Sequence, residues 1–243
     1  MNSHINDSNN NQKHVTNVFL VFLLLLVSGC TGIPVVAEKG KSSVAITIDV
    51  DVHAQITVLQ SFKPEKVFYI KLDNKDDTLK KNQIIAYGYR NCPFFNELFG
   101  TCNDTFLLNA DPGIYAAVGA YGKSGTVMTT IFFPEDVIKS TIVTVGQDSL
   151  VYMGRYEFYT ATLFRQMETP DDYQKHYYKL ALSNTGDLRN LIIPASPLYL
   201  AVKTKKIFNS TTDEKQFLNK YIKEFKDSGL ENEIVNRLNE LKK

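Results

Sequence analysis

The run Val44-Ala-Ile-Thr-Ile-Asp-Val-Asp-Val-His-Ala-Gln-Ile-Thr-Val58 decides the fold. Val44, Ile46, Ile48, Val50, Val52, Ala54, Ile56 and Val58 alternate with Thr47, Asp49, Asp51, His53, Gln55 and Thr57. A period of two held this long is a β-strand with one buried face and one wet face. Working outward, further strand-like runs lie at Lys66–Leu72, Gln83–Tyr89, Thr105–Leu108, Tyr115–Tyr121, Thr126–Phe133, Ser140–Val145 and Leu150–Thr160. Turn chemistry separates them: Asp73–Asp77, Asp111-Pro-Gly113, Gly122–Gly125, Pro134-Glu-Asp136 and Gly146-Gln-Asp148. Short strands at this spacing predict a mainly β domain over residues 42–165, an antiparallel β-sandwich.

The pattern changes after Thr160, and residues 166–243 read as a mixed and helical C-terminal extension. Thr169-Pro-Asp-Asp172 is a helix start, with a hydroxyl cap, Pro in the first turn and carboxylates at the positive helix end. Its helix runs to about Leu182. Pro194 and Pro197 interrupt the apolar run in residues 183–209, whose fold stays open apart from one more candidate strand at Leu198–Val202. Thr211-Thr-Asp-Glu214 fits a capping box for a helix carrying Phe217, Leu218, Tyr221, Ile222 and Phe225, which stops at Ser228-Gly229. A second helix places Ile234, Val235, Leu238 and Leu241 on one side, completing a helical hairpin.

Composition removes several function classes. Lys+Arg 27 against Asp+Glu 26 leaves a net charge of +1, without the basic surplus that phosphate backbones select, so no nucleic acid is expected as a partner. At 44% hydrophobic and 22% charged, the 243 residues are neither disordered throughout nor a polytopic membrane protein. The 15 Phe and 13 Tyr, with no Trp, are a surplus that needs a place to pack.

Near the N-terminus, polar residues Met1–Asn17 precede the apolar run Val18-Phe-Leu-Val-Phe-Leu-Leu-Leu-Leu-Val27. Those ten residues reach only about 15 Å as a helix, half of a bilayer core, which fits a signal-peptide segment better than a membrane span. Val27-Ser-Gly-Cys30, directly after it, resembles the lipobox of bacterial lipoproteins. The resemblance implies removal of residues 1–29, diacylglycerol on the Cys30 thiol, fatty acid such as palmitate on its amino group, and a tether over 30–41. Multiple acyl chains hold a soluble domain at a membrane where one does not. Thr31, in the place where Asp retains a lipoprotein at the inner membrane, implies an outer-membrane anchor, with the domain facing the periplasm. In the oxidising compartment so implied, the two other thiols, Cys92 and Cys102, are expected as a disulfide worth about 2–3 kcal/mol.

Ala110-Asp-Pro-Gly-Ile-Tyr115 and Val143-Thr-Val-Gly-Gln-Asp-Ser-Leu-Val-Tyr-Met-Gly154 are similar to turn elements of prealbumin-like modules found in uncharacterised envelope lipoprotein families. The resemblance covers roughly residues 60–160, implies a sandwich of prealbumin or immunoglobulin type, and brings no catalytic residues with it. Asn109-Ala110 replaces the Leu usual before the Pro-Gly element.

Other patterns were weighed as sites. Ala117-Val-Gly-Ala-Tyr-Gly-Lys-Ser124 has the phosphate-loop spacing but is followed by a strand instead of a helix, so no nucleotide is expected. Asp49, Asp51 and His53 share one strand face roughly 6.5–7 Å apart per step and diverge, so they read as a solvated face and no metal is expected. His176 reads as a packing or surface residue among tyrosines, and Lys203, Lys205 and Lys206 as a solvated basic run. Tyr152, Tyr156 and Phe158 fall on one face of their strand, Met153, Arg155, Glu157 and Tyr159 on the other. Phe94, Phe95 and Phe99 crowd the Cys92–Cys102 loop, where an exposed cluster would be a contact patch. No serine elbow, HExxH or nucleophilic Cys with its His is present. The expectation is therefore a lipid-anchored envelope protein without cofactors, a non-enzymatic binding or structural module that contacts another envelope component. The competing classes are an envelope-polymer hydrolase with carboxylates gathered by the fold, and a surface adhesin or ligand binder.

Overall fold

A computed structural model describes residues 38–53, 62–81, 83–90, 103–124, 127–161, 170–182 and 198–242. The lipobox with Cys30, the Cys92–Cys102 pair and Phe94, Phe95 and Phe99 lie outside them. The described strands are β1 (Ser42–His53), β2 (Phe62–Leu72), β3 (Ala86–Arg90), β4 (Asp104–Ala110), β5 (Gly113–Ser124), β6 (Val127–Phe132), β7 (Val143–Val145), β8 (Leu150–Ala161), β9 (Leu198–Ala201) and β10 (Lys203–Phe208). The helices are α1 (Glu135–Ser140), α2 (Asp172–Leu182), α3 (Thr211–Glu224) and α4 (Gly229–Glu240).

The chain is mainly β with C-terminal helices, but the strands do not form the two antiparallel layers expected. They form a single mixed sheet in the order β10-β8-β1-β4-β3-β2-β5-β6-β9, with β7 on β5. Two pairings are parallel, β1 with β8 and β6 with β9. β1 and β2 bridge at Val50 and Phe62, then diverge, and β4 and β3 fill the gap between them. β9 and β10 are separated only by Val202, so one segment pairs with β6 through its first part and with β8 through its second. That curls the sheet into a half-barrel whose two ends meet on Leu198–Phe208. Gln174 of α2, buried at the junction, donates through Nε2 to the carbonyls of Phe132 (3.0 Å) and Val202 (2.9 Å).

Each side of the sheet has its own core. On the concave side, Ile46, Ile48, Phe68, Ile70, Phe133 and Phe158 pack together, with Tyr177 of α2 fully buried among them. The opposite side of β1, expected to be wet, buries Ser43, Ala45 and Thr47. There Ala45, Phe106, Leu150 and Tyr152 meet Phe217, Leu218, Tyr221, Phe225, Leu230 and Ile234 of the α3–α4 hairpin. Phe106 stands edge-on to Tyr221 and Phe225, with centroids 5.1 and 5.4 Å away, a favourable aromatic geometry. Part of the aromatic surplus is thus the contact between helices and sheet, and a larger part is buried in the concave core.

Several local expectations change. The turn read at Pro134-Glu-Asp136 opens α1: Pro134 is its N-cap, Glu135 and Asp136 sit at the positive end, and Val137 and Ile138 are buried. Helix α3 is capped one residue earlier than the sequence suggests, by a Ser210–Asp213 capping box. Between α3 and α4 the left-handed residue is Asp227 (φ 63°), and Gly229 begins α4. Ala117–Ser124 is the second half of β5 running into the β6 hairpin. A Cβ on Gly122 would stand 2.0 Å from the Lys63 carbonyl oxygen, so close strand contact accounts for that glycine.

Candidate binding cavity

A cavity of about 570 Å³ opens between α3 and the outer side of the sheet. Its floor is Thr47 and Asp49 of β1, Asn103 and Asp104 at the start of β4, and Tyr152 and Arg155 of β8. Asp213, Gln216, Phe217 and Lys220 of α3 form one wall, and Phe208 at the end of β10 closes another. The volume lies in the range of small-ligand sites, about 300–1,000 Å³.

The floor depends on one backbone irregularity. The β1–β8 register runs from Ala45↔Tyr152 to Thr47↔Arg155, so β8 carries an extra residue beside Gly154. Gly154 has φ 124°, and a Cβ there would lie 2.7 Å from the Phe208 carbonyl oxygen. The bulge breaks the simple alternation expected of β8. Tyr152 belongs to the helix-facing cluster, whereas Met153, Tyr156 and Phe158 belong to the concave core. Tyr152 and Arg155, expected on opposite faces, therefore line the same cavity. Beside the bulge, the Tyr152 N–H donates to Glu214 Oε1 of α3 at 3.2 Å.

Two ion pairs organise the floor. Asp104, 5% exposed, faces Thr47 in the ladder. It accepts from Thr47 Oγ1 (2.5 Å), Lys220 Nζ (2.9 Å) and the Tyr221 hydroxyl. Thr47 Oγ1 also lies 2.8 Å from the Tyr152 hydroxyl. Burial, reinforced by the Asp104 charge, pushes the Tyr221 phenol far above its ordinary range, and burial does the same to Tyr152. Both phenols are therefore neutral, and Tyr221 donates to Asp104. Two residues along β1, Asp49 accepts from Arg155 Nε (2.6 Å) and from Asn103 Nδ2. Arg155 also reaches Glu157 at 3.1 Å. The Tyr152 and Phe217 rings stack at 3.9 Å, and Lys206 Nζ sits 4.2 Å from the Phe208 centroid.

Of the residues singled out in the sequence, Asp49 lines the cavity, Asp51 pairs with Lys205 at 2.7 Å beyond it, and His53 ends β1. Among the described residues, no group of three or more His, Cys, Asp or Glu is placed to hold a metal ion. His176 packs edge-on to Tyr177 and bonds the Lys81 carbonyl at 2.9 Å. Asp104 and Lys220, the second ion pair, went unmarked. Asp104 is the first residue of its strand, and only the unpredictable docking of α3 brings Lys220 to it.

Burial raises Glu224 and pushes Glu233 up to about 7, and neither lines the cavity. The cavity carboxylates Asp49 and Asp104 are each tied to a cation, and Ser210 holds Asp213 below its usual value. No family model matches the chain, and neither does any curated protein or solved structure.

Proposed function

We propose that the chain is a lipid-anchored protein of the bacterial envelope, tethered through Cys30 at the outer membrane and facing the periplasm, whose folded domain is a non-enzymatic binding module. One observation carries the binding part: a preformed polar cavity in which both floor carboxylates are ion-paired and one of them is held further by the buried Tyr221 hydroxyl. Fixed, mutually satisfied groups recognise a ligand at little ordering cost. The anchor rests on the apolar run and Val27-Ser-Gly-Cys30. In this reading the Cys92–Cys102 loop is closed by a disulfide and presents Phe94, Phe95 and Phe99 as a second contact.

The test uses the full chain in a bacterial host. A palmitate analogue should label it, and Cys30→Ser should abolish the label and release the protein from membranes. Chemical cross-linking in intact cells should yield an adduct with an envelope component that Gln216→Trp, which fills the cavity from its exposed wall, removes. An unlabelled chain that stays in the cytoplasm would refute the anchor. Adducts indifferent to Gln216→Trp would refute the cavity as the contact site.

A further inference from the structure

The cavity also carries the chemistry of what it binds, and on this point the argument rests on the binding reading above. Three carboxylates (Asp49, Asp104, Asp213) line it against two cations (Arg155, Lys220), so its formal balance is −1. Each of these charges already has a partner. Asp49 is held by Arg155, Asp104 by Lys220, and Asp213 accepts from the Ser210 N–H and hydroxyl that it caps. An anion would meet an acidic surplus, and an organic cation would have to displace a bonded Arg or Lys or compete with Ser210 for Asp213. Full charge on a ligand is unfavourable here whichever its sign.

Hydrogen-bonding capacity remains. An ammonium has three donors and a guanidinium five, more than the contacts made by Lys220 and Arg155, whose side chains are about half exposed (52% and 50%). The carboxylate oxygens keep lone pairs beside those donors, and Gln216 adds an exposed amide with both functions. A group that donates to a carboxylate and accepts from the adjacent cation through one atom is a hydroxyl. Asp49 lies one two-residue step along β1 from Thr47, and Asp104 lies opposite Thr47 on β4, so the two acidic partners are one step along and one strand across from each other, roughly 8 Å. That is the scale of one sugar ring with its substituents. Phe208 and the stacked Tyr152–Phe217 rings supply an apolar wall for the C–H side of such a ring.

We infer that the cavity is a saccharide site, taking a short uncharged glycan whose hydroxyls bridge Asp49–Arg155 and Asp104–Lys220.

Isothermal calorimetry on the full chain tests this with neutral oligosaccharides of hexoses and N-acetylhexosamines, with inorganic phosphate and putrescine as charged probes. The expected result is saturable binding of a neutral saccharide, weakened about tenfold or more by Asp49→Asn and by Gln216→Trp, with neither charged probe competing. Asp49→Asn changes a floor carboxylate and Gln216→Trp an exposed helix position, so one tests chemistry and the other occupancy. Saccharide binding unmoved by both variants overturns the site. Binding of phosphate or putrescine alone overturns the ligand class and leaves the binding module standing. No binding by any probe, with the Gln216→Trp-sensitive cross-link still present in cells, likewise overturns the class alone. No binding and no cross-link bring down both.

Discussion

At the residue scale, two positions set the cavity. Gly154 turns β8 so that Tyr152 and Arg155 face α3 together, at φ 124° and against the Phe208 carbonyl. Gly154→Ala should cost roughly 1–3 kcal/mol, read as a lower denaturant midpoint with an unchanged slope. Asp104 gathers Thr47, Tyr221 and Lys220 on one buried carboxylate. Asp104→Ala leaves those donors without their acceptor and should cost about 2 kcal/mol or more, whereas Lys220→Met, which removes a half-exposed partner, should cost clearly less. Equal losses in the two variants would contradict the placing of Asp104 at the centre of the network. Neither role was legible in the sequence. Gly154 stood inside an alternating run and Asp104 beside a turn, and a bulge or a long-range pair leaves no periodic trace.

At the scale of elements, the α3–α4 hairpin is the part most plainly written in the sequence and least plainly placed by it. The apolar spacing of Phe217, Leu218, Tyr221 and Phe225 was enough to define its buried side. That this side would cover the outer face of β1, expected to be wet, depended on contacts across more than 100 residues of chain, such as Lys220 with Asp104. The hairpin is clasped by Glu214, which takes Arg237 Nε at 2.9 Å, Arg237 Nη2 at 3.2 Å and the Tyr152 N–H. Arg237→Met alone strands a buried carboxylate and should destabilise by about 3 kcal/mol, with the Glu214→Gln/Arg237→Met pair recovering part of the loss in a double-mutant cycle. Glu233 of α4 is 3% exposed with Oε2 lacking a hydrogen-bond partner, and burial raises its carboxyl from 4.5 to about 7, with Ser43 alongside opposing and Asp148 adding to the shift. A raised carboxyl favours the fold when protonated, so stability from this group is lost as pH rises from about 4.5 to about 7 and is flat above. Glu233→Gln should raise the melting temperature at pH 8 and leave it nearly unchanged at pH 4. A gain of equal size at both pH values would contradict the burial argument.

At the scale of the whole molecule, the strands were legible and their arrangement was not. Period-two runs marked β1, β2, β4, β5, β6 and β8, because alternation is local. The parallel β1–β8 and β6–β9 pairs, and the return of the sheet onto Leu198–Phe208, join segments far apart in the chain. They turn the expected sandwich into a curled mixed sheet. That closure sets Phe208 beside Gly154, and the docked hairpin adds the opposite wall, so the cavity is a property of the assembled fold. The central claim is that this cavity is where the domain meets its envelope component. Its most direct test is a photo-crosslinking amino acid placed at Gln216 of the full chain in living bacteria, with the same group at Lys179 on α2, which does not line the cavity, as the reference. The account predicts a discrete envelope adduct from position 216 and none from 179; equal yields from both positions, or none from either, would contradict it.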